Sequence, residues 1–271
     1  MTIPKISAVM CTFKRFKCVE RAINCFLAQD YPGEKELIVF NTDIDHPYAQ
    51  QDALDELGVK IYNCAIDYIT GLPYTNVGAI RRDSLTHATG DYYICWDDDD
   101  IFLPFFMRQG VDRMAQTGLP SFKPEYSFFY GGELKLVKNT LEASVISDIN
   151  LIRKYGFLLE TGKEGLGWYT KMRDNRELDQ DDHYSIPHYC FNWHDGAAMG
   201  AGHKQSGDIN NPNNFENHKV ASRDVVTGPI SVWWQPKLDE MYNMYYNFLL
   251  KADLPKDLIE KYVTWKTLWK K

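Results

Sequence analysis

Hydrophobic positions in the first hundred residues follow two periods in turn. Residues 6–12 (ISAVMCT), 36–40 (ELIVF), 59–64 (VKIYNC) and 92–96 (YYICW) are short apolar runs of β-favouring residues and predict buried strands. Between them, 17–28 places Cys18, Val19, Ala22, Ile23, Phe26 and Leu27 on one helical face, and further helices are expected around 48–57 and over 77–89, the latter ended by Gly90. Strands alternating with helices predict an α/β domain with a Rossmann-like, mostly parallel sheet and helices on both faces. Ligands of such sheets bind beyond the carboxyl ends of the strands. The loops 12–17, 41–47 and 97–100 are therefore the first places to look for a site.

The pattern continues less regularly. A helix is expected over 103–117, short strands and turns over 127–150 around Gly131 and Gly132, a helix near 164–175 and a strand over 186–193 (IPHYCFNW). Residues 194–217 are rich in Gly and Asn and lack apolar periodicity, which predicts a long loop of the kind that serves as a lid. The tail, 237–271, has Leu238, Met241, Tyr242, Tyr245, Phe248 and Leu249 at helical spacing and predicts a helical extension packed on the body. Trp265, Leu268 and Trp269 among lysines offer a membrane-surface alternative that carries less weight.

Composition narrows the class. With 44% hydrophobic and 25% charged residues among 271, and no apolar run of about 18, the chain is expected to be soluble, without stable membrane insertion. Its opening, MTIPKISAVMCTF, enters a strand almost at once and lacks a secretory pattern, so a cytoplasmic location is expected. The six cysteines are scattered without a C-x-x-C pair, which favours reduced core thiols over a zinc site. A net charge of −7 argues against indiscriminate nucleic-acid binding, while 14–17 (KRFK) and Arg81-Arg82 could form a local basic groove.

The chemistry concentrates at YICWDDDDIFLP, residues 93–104. Four successive carboxylates repel one another and resist burial unless a cation offsets them. Hard divalent cations such as Mg²⁺ and Mn²⁺ prefer carboxylate oxygens, commonly one or two plus phosphate oxygens of a substrate. Asp97 and Asp99, alternating on an extended segment, are expected to project together, and Asp100 to cap the helix that begins near Pro104. One cap does not need four aspartates.

Three stretches then carry a resemblance. AVMCTFKRFKCVERAINCFLAQDYP, NVGAIRRDSLTHATGDYYICWDDDD and the IFLP that follows resemble, in order, the nucleotide-sugar-binding half of family 2 glycosyltransferases of the GT-A fold. The resemblance implies a single GT-A domain in which 1–105 binds the nucleotide sugar, 106–235 forms the acceptor half with lid loop 194–217, and 236–271 is the C-terminal extension. It implies Mn²⁺ or Mg²⁺ held by Asp97 and Asp99, with His203 of the lid as third ligand and His194 as its rival. It also implies donor contacts from Thr12, Arg15, Asp43, Arg81, Asp97 and Asp98. Asn41-Thr42-Asp43 departs from the family's Asp-Asp-Gly-Ser-like strand end, and Arg82 stands where Asn is common. YGFLLETGKEGLGWYTKMRDN resembles the acceptor-side motif, with Glu164 as its first acid and Gly165 replacing its second. Glu164 is therefore the expected general base, with Asp181 and Asp182 as alternatives.

The implied reaction moves a sugar from a nucleotide diphosphate sugar, UDP-linked by preference, to an acceptor hydroxyl with inversion. The acceptor is a glycan or, as a close option, a hydroxymethylated base in DNA, flipped out and stacked on aromatics such as Trp168 or Trp193. A nucleotidyltransferase, the rival enzyme class, would want a Gly-rich phosphate loop, and residues 11–17 contain no glycine. A non-catalytic nucleotide-sugar-binding protein is the third option. The sequence leaves oligomeric state open.

Overall fold

The computed structural model describes residues 3–130, 134–180, 185–192, 228–231, 243, 245–252, 254 and 256–262. Along the chain run β1 (Ile6–Thr12), α1 (Phe16–Leu27), β2 (Lys35–Asn41), α2 (Asp52–Glu56), β3 (Val59–Asn63), α3 (Val77–Leu85), β4 (Tyr92–Cys95), β5 (Ile101–Phe102) and α4 (Phe106–Thr117). There follow β6 (Ser121–Phe122), β7 (Tyr126–Tyr130), β8 (Leu134–Lys138), a 3₁₀ turn at Glu142–Ser144, β9 (Ile146–Asp148), α5 (Ile149–Tyr155), α6 (Leu166–Asp174), β10 (Tyr189–Asn192) and a helix at Lys256–Tyr262.

The main sheet has six strands in the order β3-β2-β1-β4-β9-β6. The first four are mutually parallel, and β9 and β6 extend the sheet in antiparallel fashion. Strand β1 is buried almost end to end, as expected of a parallel strand covered on both faces. Helix α1 turns Phe16, Val19, Ala22, Ile23 and Phe26 into the core. From β1 the chain steps outward to β2 and β3, then crosses back to lay β4 on the other side of β1. That reversal makes a topological switch point, with a crevice beyond the carboxyl ends of β1 and β4.

The turn after β4 is anchored at both ends. Trp96 is fully buried, stacks on Phe102 at 3.8 Å and donates from Nε1 to the Ala22 carbonyl at 3.1 Å. Beyond the aspartates, β5 enters a second sheet of order β5-β10-β7-β8, pairing antiparallel with β10. Residues 97–100 are thus held between two sheets.

Two expectations on helices change. The helix expected over 48–57 begins only at Asp52, because Tyr48 is taken by Asn63: Tyr48 N donates to Asn63 Oδ1, and Asn63 Nδ2 donates to the Tyr48 carbonyl, both at 2.9 Å. The tail helix is not continuous among the described residues: 245–251 and Lys256–Tyr262 are helical, while 252 and 254 are not. Residue 254 precedes Pro255, and a residue before proline is pushed out of the helical region. Tyr245 and Leu249 are buried as expected, with Tyr245 5.6 Å from Phe128. No helix among the described residues is long and apolar enough to cross a membrane.

Candidate active site

The aspartates do not alternate along a strand. Residues 97–100 turn, and each carboxylate meets its own set of partners, with Arg15 shared by Asp98 and Asp99. Asp97 accepts from Arg81 Nη2 at 2.7 Å and is the most open, its side chain 28% exposed. Asp98 is buried, accepting from Thr12 Oγ1 at 2.7 Å and from Arg15 Nη1 at 3.0 Å. The same Arg15 nitrogen reaches Asp99 Oδ2 at 2.8 Å, and Arg21 Nη2 binds the Asp99 carbonyl. Burial raises the Asp98 carboxyl against the opposing pull of Arg15.

Asp100 is not the helix cap. Helix α4 starts at Phe106 without a side-chain cap, and its N-cap position, Phe105, lies five residues past Asp100. Asp100 is instead buried, accepting from the Tyr189 hydroxyl and from Asn192 N at 2.9 Å, while Asn192 Nδ2 binds the Asp99 carbonyl at 3.0 Å. Burial, then the charges of Asp99 and Asp97, push its carboxyl well above the ordinary range. The role of Asp100 is to tie the turn to β10.

Arg81 links the turn to the loop that carries Glu164. It projects from α3, whose start is capped by Asn76 accepting from Ala79 N at 2.8 Å. Besides Asp97, its Nε donates to Glu164 Oε1 at 3.2 Å and its Nη1 to Cys95 Sγ. Glu164 is 6% exposed, and its second oxygen, Oε2, is buried without a hydrogen-bond partner among the described residues. The loop that carries it is stitched to α3: Gly78 N donates to the Glu160 carbonyl at 3.1 Å and Val77 N to Thr161 Oγ1 at 3.3 Å.

The expected site residues thus gather at one end of the sheet. Thr12, Arg15, Asp98 and Asp99 form one group, and Asp97, Arg81 and Glu164 form the other, joined through the turn. Asp43 lies at the same edge, past the end of β2, buried with its carboxylate 2.9 Å from His46 Nδ1. Arg82 does not join them, since it pairs with Asp67 and Asp83 at 2.7 Å. Asp181, Asp182, Trp193, His194, His203 and the lid loop lie outside the described residues.

Sequence reasoning missed Glu142. An ideal Cβ built on Gly165 would lie 2.3 Å from Glu142 Cγ and 2.9 Å from its Oε1, so that carboxylate lies against the glycine next to Glu164. It also missed Tyr189 and Asn192 as holders of the turn. The only signal available for Glu142 was the glycine at the place of an acid.

For a divalent cation the donor chemistry fits. Asp97 and Asp99 present carboxylate oxygens on one turn, which is the oxygen-rich, incomplete set that Mg²⁺ or Mn²⁺ completes with phosphate oxygens and water. No group of three His, Cys, Asp or Glu side chains among the described residues is poised for a metal by itself.

A 3-2-1-4 parallel order, a switch-point crevice and an Asp-rich turn held by arginines define a nucleotide-binding α/β protein of GT-A type. The chain belongs to glycosyl transferase family 2, whose model matches residues 7–190, and it is a nucleotide-sugar-dependent glycosyltransferase. Solved structures agree on the fold. The Staphylococcus aureus TarS 1-349 complex with UDP aligns over 78% of this chain and 68% of that one, at 14% identity and TM-score 0.56. TarS 1-349 with UDP-GlcNAc aligns over 94% and 82%, at 12% identity and TM-score 0.54. No curated protein sequence matches the chain.

Proposed function

We propose that the protein transfers a sugar from a UDP-sugar to a glycan hydroxyl, with inversion at the anomeric carbon. The observation that carries this reading is the turn 97–99 at the switch point, with Asp97 and Asp99 each paired to a separate arginine. Thr12, Arg15 and Asp98 shape the nucleotide side, Asp43 with His46 borders the base, and Arg81 faces the diphosphate. Asp97 and Asp99 hold the divalent cation, with His203 as the proposed third ligand. The cation offsets the charge that develops on the departing diphosphate. On the acceptor side the carboxylate of Glu164, fixed through Oε1 by Arg81, orients the attacking hydroxyl. The net charge of −7 favours a saccharide acceptor over DNA, whose binding draws on a basic surface.

The test is nucleoside diphosphate release from UDP-GlcNAc, UDP-glucose and GDP-mannose with Mn²⁺, Mg²⁺ or EDTA, alone and with glycan or hydroxymethylated-DNA acceptors. Release that needs metal, accelerates with a glycan and falls at least about 100-fold in Asp99→Asn is expected, in line with the share of a barrier carried by a metal or oxyanion contact. Release indifferent to EDTA and to Asp99 overturns it.

A further inference from the structure

Two carboxylates meet around Gly165, that of Glu164 beside it in the chain and that of Glu142 packed against it, and they differ. Glu164 is buried, and one of its oxygens is committed to Arg81. Glu142, from the 3₁₀ turn before β9, keeps part of its surface and makes no ion pair among the described residues. Its side chain lies so close over Gly165 that a Cβ there would stand 2.3 Å from Cγ. The glycine therefore makes room for the Glu142 carboxylate, which arrives from another element at the place where the family pattern has an acid. Independently, Glu164 Oε2 is a buried oxygen without a partner among the described residues.

We propose that Glu142 is a second catalytic carboxylate of this site, the group that takes the proton of the attacking hydroxyl while Glu164 holds the site in register. The assignment rests on the glycosyltransfer reading above. In the step, the acceptor O–H bond breaks as the oxygen bonds to the anomeric carbon. The bond from that carbon to the diphosphate oxygen breaks, and its electron pair leaves with the diphosphate. The proton goes to a Glu142 oxygen, and Glu164 Oε2 is the unpartnered oxygen that can accept a hydrogen bond from the acid so formed.

The surroundings suit a base near neutral pH. Burial, then the charge of Glu164, raises the Glu142 carboxyl from its ordinary value to about 7. Arg81 opposes that rise and Asp97 adds to it. Lys123, Tyr169 and Cys95 also sense the Glu142 charge from β6–β7, α6 and β4. General bases work best with a pKa close to the working pH, and removing one costs about 10²–10⁴-fold.

The experiment compares wild type with Glu142→Gln and Gly165→Ala, using the donors above with Mn²⁺, across pH 5 to 9, with UDP binding measured alongside. For Glu142→Gln the expected result is a kcat at least about 100-fold lower, loss of the limb that rises through pH 7, and UDP affinity within about threefold of wild type. Gly165→Ala, whose methyl displaces the Glu142 side chain, is expected to lower kcat with UDP binding retained. A Glu142→Gln enzyme that keeps its turnover and its pH limb overturns the assignment while leaving the transferase reading intact. Wild type that releases no diphosphate from any donor overturns both.

Discussion

Arg81 is the joint between the two halves of the site, and its energetic weight can be worked out from its partners. The side chains of Arg81 and Glu164 are 9% and 8% exposed. Replacing Arg81 by Gln leaves the Glu164 carboxylate buried, with Oε1 stripped of its donor and Oε2 already unpartnered. Breaking a buried pair by removing one member costs about 3–5 kcal/mol. The Asp97 arm, 28% exposed, falls back on water and adds about 1 kcal/mol or less. The total, about 4 kcal/mol, corresponds to a melting shift of roughly 10 °C for a domain of this size.

The same reasoning fixes the sign of a double-mutant cycle. Glu164→Gln removes the charge that Arg81→Gln would strand, so the second substitution should cost less in the presence of the first. A coupling of about 2 kcal/mol is expected, read from urea midpoints of wild type, both single variants and the double variant at pH 7. Additivity within about 0.5 kcal/mol would refute the claim that Arg81 and Glu164 act as one buried pair.

Two further predictions concern the scaffold. Glu36 on β2 is buried and accepts from Ser7 Oγ on β1 at 2.7 Å, from Thr89 N at 2.7 Å and from Thr89 Oγ1 at 2.8 Å. Burial alone would raise its carboxyl, but these hydrogen bonds win and hold it down at about 2 against an ordinary 4.5. A depressed folded-state value contributes stability that is complete above about pH 4.5 and is lost as pH falls toward 2, here about 3 kcal/mol; acid titration of stability should lose that component in Glu36→Gln, and an unchanged acid slope would contradict it. Gly78 has no room for a side chain, since a Cβ would lie 1.8 Å from the Leu158 carbonyl oxygen. Gly78→Ala must push the loop bearing Glu164 off α3, so it should lower both the melting temperature and kcat while UDP binding persists, and wild-type turnover would show that the loop is not fixed by that contact.

How much of this was legible in the sequence depends on whether the signal was local. The strands β1 to β4 could be read because parallel strands buried on both faces are continuous apolar runs, and the helices between them because one face must be apolar. Turn 97–100 was legible for an electrostatic reason: four adjacent carboxylates do not persist at the end of a buried strand without partners. The partners themselves were not legible. Arg15 meets Asp98 and Asp99 across the switch point, and Tyr189 reaches back to Asp100 from another sheet, contacts that no periodicity encodes. Asp100 misled because its residue type fits a cap, while tertiary hydrogen bonds took the carboxylate elsewhere.

That division also explains why the four charges coexist. Consecutive residues on a tight turn need not face one another, and here they point to Arg81, to Thr12 with Arg15, to Arg15 again, and to Tyr189 with Asn192. Asp98 and Asp100 are walled in, so their hydrogen bonds fix the backbone of the turn. Asp97 and Asp99 keep the greater exposure, 28% and 14% of their side chains, and lie at the open end of the sheet. The alternation expected of a strand therefore survives in a turn by a different cause: the even-numbered aspartates build the mount, and the odd-numbered ones are left facing the crevice where the proposed cation and diphosphate bind.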